Sequence, residues 1–305
     1  MYPYCWASRT PSVPALYRRG EHIRKIAERD VTMQLHFPEQ PEEYTKAEQK
    51  ILEYISSHTE AFLFMPIGQL AAQLEVSDAT ISRFTRHVGC RDFKELKNVV
   101  MQQSSGEGPA AKMAGTLFGQ AGFTLEHWLQ QQQLYLQKTL EQLDAAEFDR
   151  AVQAVASAKR IFIHAKSASA GLGQMLLFRL RRMGLCVFLI PSGGSEVLEG
   201  LAQAGAGDIV IMFMFSKVSR EAKMILDYQR ESGCRTLAFT SRLYAPRDER
   251  ADINLYVYRG EAREYHSMAT SVALLDALVV ALSENMGAES AERLSRLHDL
   301  KDRYR

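Results

Sequence analysis

Residues 67–88, IGQLAAQLEVSDATISRFTRHV, constrain the chain most, because their apolar positions keep helical spacing on both sides of a single break. Leu70, Ala71 and Leu74 form one stripe, Val76 plugs the corner, and Ile81, Phe84 and Val88 repeat at the i, i+3, i+7 spacing of a second. Ser77 stands where an N-cap belongs, with a hydroxyl that accepts from the N–H groups of the next turn. Glu75 holds the turn position often given to glycine, so a positive φ there carries a modest penalty. Two short helices across a tight turn make a helix-turn-helix, with the second as recognition helix. Burying the inner stripe turns Asp78, Ser82, Arg83 and Arg86 outward and leaves Thr80 at the margin. Hydroxyl and guanidinium groups on a short helix suit the DNA major groove, where phosphates position and base edges specify. The competing reading is an ordinary helical hairpin with a solvated outer face. The V-S-x-x-T-I-S-R run at 76–83 favours the reading head.

The flanks extend this unit. Thr45-Lys46-Ala47-Glu48 fits a capping box ahead of a helix to about residue 57, with Ile51, Leu52 and Ile55 inward. Asp92-Phe93-Lys94-Glu95 resembles another helix start, and Phe93, Leu96 and Val100 pack that helix on the bundle. Between Ser77 and Lys97, five basic residues stand against three acidic ones. So weak a patch needs a dimer or higher oligomer to double its phosphate contacts. The candidate DNA-binding set is Ser77, Asp78, Thr80, Ser82, Arg83, Arg86, Lys94 and Lys97.

At 305 residues two domains are expected. The segment at 104–108, SSGEG, has linker chemistry. Helices follow over 110–119, 124–144 and 146–158, the last with Phe148, Val152 and Val155 inward. The glutamine run 130–133, set among Trp128, Leu129, Leu134 and Leu136, reads as a solvated helix face. From Arg160 the rhythm changes to strands at 161–164, 185–190, 209–215, 235–240 and 253–258. Helices over 171–183, 196–204, 219–231 and 266–285 alternate with them. The fold class is therefore two domains: an all-α helix-turn-helix bundle, then an α/β domain with a five-stranded parallel sheet flanked by helices. Ligands of such sheets lie beyond the carboxyl ends of the strands.

Several function classes are disfavoured. No apolar run reaches 18 residues, so no membrane partner is expected. Cys5, Cys90, Cys186 and Cys234 are scattered without CxxC spacing, which fits reduced, mostly buried thiols in a cytoplasm. The eight histidines are dispersed, with neither H-E-x-x-H nor Cys/His pairs, and no nucleotide fingerprint is present; no metal and no cofactor is expected. Residues 1–40 lack periodicity and read as a disordered extension. Met33 is a candidate true start, which N-terminal sequencing of a native protein beginning at Tyr2 would exclude. The rival is a DNA-touching arm.

The two halves together resemble the RpiR-type family of bacterial transcriptional regulators, which joins an N-terminal helix-turn-helix to a C-terminal SIS (sugar isomerase) domain. The likeness rests on V-S-x-x-T-I-S-R-F at 76–84, F-K-E-L-K at 93–97, Gly-Asp-Ile-Val-Ile at 207–211 and Leu274-Leu275-Asp276-Ala277-Leu278. It implies sequence-specific binding of double-stranded operator DNA, modulated by a small anionic carbohydrate-type effector, a sugar phosphate or related derivative. The family loop Gly-x-Gly-x-Ser reads here Ala165-Lys166-Ser167-Ala168-Ser169, with both glycines gone. Its Ser-x-Ser-Gly-x-Thr reads Met214-Phe215-Ser216-Lys217-Val218-Ser219. Those loops imply Ser167, Ser169, Ser216 and Ser219 as effector ligands at helix N-termini. Ser192, Ser195, Ser267 and Thr270 lie at other strand-to-helix junctions, and Ser267 joins the candidate set.

Two readings of the lost glycines stand. In one, Lys166 and Lys217 supply charge to an anionic effector; in the other, side chains fill the pocket and the SIS domain only oligomerises. The alternative of another class is a phosphosugar isomerase with a base among His164, Glu196, Glu199, Glu264 and His266; against it, a helix-turn-helix serves no isomerase, and no catalytic residue is assigned. His164 is expected as a hydrogen-bonded residue at the edge of the core. The domain expectation is 1–40 extension, 41–105 helix-turn-helix, 106–125 linker, 126–288 SIS domain and 289–305 helical tail. A symmetric dimer or tetramer is expected, since paired heads match palindromic sites.

Overall fold

The computed structural model describes residues 35–103, 108–118 and 123–304. It separates into two compact units meeting between Ala114 and Gly115. The candidate arm and the alternative start at Met33 lie outside the described residues.

The first unit is all-helical: α1 (Lys46–Ser57), α2 (Thr59–Phe64), α3 (Ile67–Leu74), α4 (Asp78–His87) and α5 (Phe93–Gln103). α1 starts as expected, on a complete capping box between Thr45 and Glu48. Its Ile51 and Ile55 are buried, as are Leu70 of α3, Ile81 and Phe84 of α4, and Leu96 and Val100 of α5. Glu48 is also buried, and its carboxylate accepts from His87 Nδ1 at 2.8 Å, which ties α4 to α1. Lys50 donates to the Leu74 carbonyl at 3.2 Å, satisfying one acceptor left open at the end of α3. The extension expected through residue 40 is corrected at its end. Phe37 is buried edge-on against Phe84, with ring centroids 6.2 Å apart, and the Glu39 N–H donates to the Val88 carbonyl. An aromatic residue within reach of an apolar bundle gains more by burial than by remaining in water.

Helix α6 (Pro109–Phe118) crosses the boundary between the units, so the expected linker at 106–125 carries regular structure. Next come α7 (Leu125–Gln142) and α8 (Ala145–Ala156). The sheet domain proper runs β1 (Ile161–His164), α9 (Ala170–Arg182), β2 (Val187–Ile190), α10 (Glu196–Leu201), β3 (Ile209–Met214), α11 (Arg220–Ser232), β4 (Arg235–Thr240), β5 (Ile253–Tyr256), α12 (Ala269–Met286) and α13 (Ala288–Arg303). All five strands are parallel, in the order β2-β1-β3-β4-β5.

Both faces are covered, as continuous apolar strands require. On one side Ile209 and Ile211 of β3 pack with α8, α9 and α12; on the other Val210 and Met212 pack with α10 and α11. Gly173 lets α9 approach β1, since a Cβ there would stand 2.6 Å from that of Ala165. Asp208, buried at the start of β3, accepts from Arg160 at 2.7 Å and from the Gly205 N–H at 2.9 Å. Helix α12 is long and apolar enough, by length and composition, to cross a membrane, but its Leu274, Leu275, Leu278 and Leu282 belong to the sheet core. The helical tail is tied to the sheet domain: Arg293 of α13 donates to the Gly184 carbonyl at 2.5 Å.

One expectation fails on α7. The glutamine run is not simply a solvated face, because Gln132 is buried together with Tyr135 and Thr139. Leu125, Leu129, Leu136 and Leu140 are exposed instead, within a 60° sector of the helix at 100° per residue. Cys90 and Cys234 are buried thiols, whereas Cys186 is exposed; Cys5 lies outside the described residues.

Candidate functional site

In the first unit the turn adopts the conformation its sequence predicts. Glu75 is left-handed at φ 55°, ψ 43°, and its N–H closes the end of α3. Ser77 caps α4, its Oγ accepting from the Thr80 N–H at 3.1 Å. A hydroxyl pair links Ser77 to Thr80 at 2.9 Å, and Arg83 Nη2 reaches Thr80 Oγ1 at 3.4 Å. Ser77, Thr80 and Arg83 thus form one ordered row along the helix. Asp78, Arg83 and Arg86 are exposed, Thr80 and Ser82 half-buried, and Lys94 exposed on α5. Lys97 is the exception. It is 6% exposed, its ammonium lies 5.1 Å above the Phe93 ring, and burial pushes its pKa down. Its amine is not presented to a phosphate.

In the sheet domain the strand order reverses direction at β1: the chain goes from β1 to β2 on one side and then to β3 on the other. A crevice at the carboxyl ends of β1 and β3 is where such a sheet binds ligands. A cavity of about 350 Å³ lies there, and His164, Lys166, Ser167, Ser169, Ser216, Lys217 and Ser219 all line it. Six of the seven predicted effector residues are therefore brought together. The seventh, Ser267, is buried just ahead of α12, its Oγ accepting from the Ala269 N–H at 3.1 Å.

Local bonding sets what each of these can offer. Ser169 is buried and donates to the Lys166 carbonyl at 2.8 Å, closing its own loop. Ser219 caps α11 by accepting from the Ala222 N–H at 3.1 Å. Ser167 keeps φ at 54°, a backbone conformation that glycine adopts freely and serine does not. Lys166 Nζ binds Glu221 Oε1 at 2.9 Å. That ammonium and Glu221's own backbone N–H hold the carboxyl down at about 2.

Two further groups complete the crevice. Arg259, 7% exposed, stacks its guanidinium 3.9 Å above the Phe215 ring and lines the same cavity. Its Nη1 meets the Met268 sulfur at 3.5 Å, and its Nε has no hydrogen-bond partner among the described residues. Desolvation lowers its pKa to about 10. His164 was expected to be hydrogen-bonded; among the described residues only the Pro191 backbone comes near its ring, short of bonding geometry, and burial pushes the imidazole's pKa down. Arg259 was missed in the sequence, where its one signal is an arginine before a glycine at the close of an apolar strand. A larger depression of about 1220 Å³ lies along α8, β4 and β5. Its charges are largely self-paired, as in Arg150–Glu147 at 2.5 Å and Arg242–Glu249 at 2.6 Å, so it offers a ligand less.

Residues 33–107 match the helix-turn-helix domain of the rpiR family, and residues 154–281 match the SIS domain. The chain belongs to the RpiR-type family. Among solved structures, the RpiR transcription factor sugar isomerase domain from Sphaerobacter thermophilus is similar at 20% identity and a TM-score of 0.53. That match covers 57% of this chain and 98% of the other. The Vibrio vulnificus NanR protein, solved as a complex with ManNAc-6P, is similar at 19% identity and a TM-score of 0.53, covering 86% of this chain and 95% of its own. At these identities the likeness bears on the fold. An RpiR-type chain thus pairs a reading head with a domain built for carbohydrate derivatives.

Proposed function

We propose that this chain is a cytoplasmic transcriptional regulator that binds operator DNA in a sequence-specific way and answers to a small anionic carbohydrate derivative held at the β1/β3 crevice. The observation that carries the DNA-binding half is the ordered row Ser77–Thr80–Arg83 on the outer face of α4, continued by Arg86. Arg83 reads a base edge, and Lys94 contacts phosphate. Arg83→Ala costs about 1–3 kcal/mol on operator DNA and relaxes selectivity. Fluorescence anisotropy on specific and random duplexes tests this; equal loss on both contradicts a base-reading role.

The effector half rests on the cavity at the sheet's switch point and its cationic and hydroxyl lining. Effector binding changes the fit of paired heads to two half-sites, and operator DNA changes effector affinity by the same factor. A second copy supplies the pairing, and the exposed leucines of α7 are its candidate surface.

The isomerase reading is disfavoured by the state of the carboxylates. Glu196 and Glu199 are exposed outside the crevice, and Glu264 accepts from Tyr135 at 2.5 Å and from the Glu261 N–H at 2.9 Å. His266 contacts the Glu261 carbonyl at 3.2 Å. His164 alone of the candidate bases lines the cavity. Glu221, paired with Lys166 and held at about 2, is too weak a base to move a carbon-bound proton near neutral pH.

A further inference from the structure

Three polar groups at or beside the crevice have unmet bonding capacity among the described residues: Arg259 Nε and both ring nitrogens of His164, which line it, and Glu221 Oε2, whose residue does not line it but pairs with Lys166, which does. Buried polar atoms in a folded protein are almost always satisfied, so orphans lining one cavity indicate a missing partner. Their chemistry describes it. A buried guanidinium with no carboxylate beside it wants an anion. A neutral imidazole wants hydroxyl groups. Together they describe a small polyhydroxylated acid.

The nature of the acidic group follows from how the charges are already used. At the start of α11 the Ser219 hydroxyl takes the Ala222 N–H, and the Glu221 carboxylate takes its own N–H. Two of the N–H groups that would otherwise face a phosphate are therefore occupied by the chain itself. Glu221 places a full negative charge there, already balanced by Lys166 at 2.9 Å. A phosphate dianion at this helix end would meet a carboxylate rather than a vacant cradle. Lys217 is exposed at the rim, where water screens its charge. One buried, unbalanced positive charge remains, on Arg259. The flat face of its guanidinium is stacked on Phe215, so its edge presents donors in a plane, the geometry that carboxylates match.

We propose that Arg259 anchors the effector through a carboxylate, with His164 bonding its hydroxyls, so that this pocket takes a monosaccharide acid in preference to a sugar phosphate. The inference rests on the effector-binding reading above and narrows it. The chain's own Lys166–Glu221 pair stands where the charge of a phosphate would be met, and the effector's charge is moved across the crevice to Arg259.

Isothermal titration of the full chain with matched pairs tests it: glucuronate against glucose 6-phosphate, galacturonate against galactose 6-phosphate, and mannuronate against mannose 6-phosphate. At least one acid binds at millimolar concentration and more tightly than its phosphate partner. Arg259→Met, which keeps the apolar stem, weakens the acid about tenfold or more. Glu221→Gln narrows or reverses the preference by removing the repulsion of phosphate. Phosphates binding better than acids, with Arg259→Met indifferent, overturns the inference and leaves the effector reading standing. Failure of every acid and every phosphate to bind overturns both.

Discussion

Among the described residues, two non-glycine positions hold a backbone conformation that their side chains disfavour. Glu75 and Ser167 both sit at positive φ, 55° and 54°. Ser167 occupies the second glycine position of the family loop, so the loop keeps a glycine's geometry without the glycine. Glu75→Gly and Ser167→Gly are each expected to stabilise the protein by about 0.5–1 kcal/mol, net of the greater freedom of glycine in the unfolded chain. Thermal unfolding measures this, and a loss of stability in either variant contradicts the strain. Glu221 carries a separate signature. Its folded pKa of about 2 lies below the ordinary 4.5, so the stabilisation it brings is present above 4.5 and is lost as pH falls towards 2. Glu221→Gln flattens that part of the profile of melting temperature against pH.

Among the elements, legibility in the sequence followed how local the cause was. The turn of α3 into α4 was readable because its stripes, its cap and its left-handed residue are all fixed within the segment. Helix α5 was readable in place but not in full. Phe93, Leu96, Lys97 and Val100 follow one helical face at i, i+3, i+4, i+7, so periodicity alone would have buried Lys97. Its charge argued for the surface, and stacking of the ammonium on Phe93 let periodicity win. On α7 the composition misled in the opposite sense, placing Gln132 inside and five leucines outside. Lys94→Ala on α5 is expected to lower the salt slope of DNA binding by about one, without changing sequence preference. On α7, the double change Leu129→Glu with Leu136→Glu is expected to reduce the mass seen by analytical ultracentrifugation. An unchanged mass removes that surface from self-association.

At the scale of the whole molecule, the five parallel strands and both helical layers of the sheet domain followed from alternation and right-handed crossovers, whereas the strand order β2-β1-β3-β4-β5 is visible only in the assembled sheet. The loops after β1 and β3 were marked by the family resemblance, and the crevice lies between them. Arg259 was not so marked, because β5 carries it to a cavity whose other walls come from β1 and β3, nearly 100 residues earlier in the chain for His164. Nothing local marks such a residue. Only the assembled sheet shows that its charge has no counterpart. The reading head and the sensing sheet also define what the molecule as a whole must do. A weakly charged α4 reads DNA usefully only when doubled, so paired half-sites are part of the account. The most direct test is a genome-wide binding map of the full chain beside its Arg83→Ala variant. The account predicts discrete sites that share an inverted repeat with half-sites about one helical turn apart, or a multiple of it, and their loss in the variant. Binding spread without sequence preference, or a map unchanged by Arg83→Ala, would contradict it.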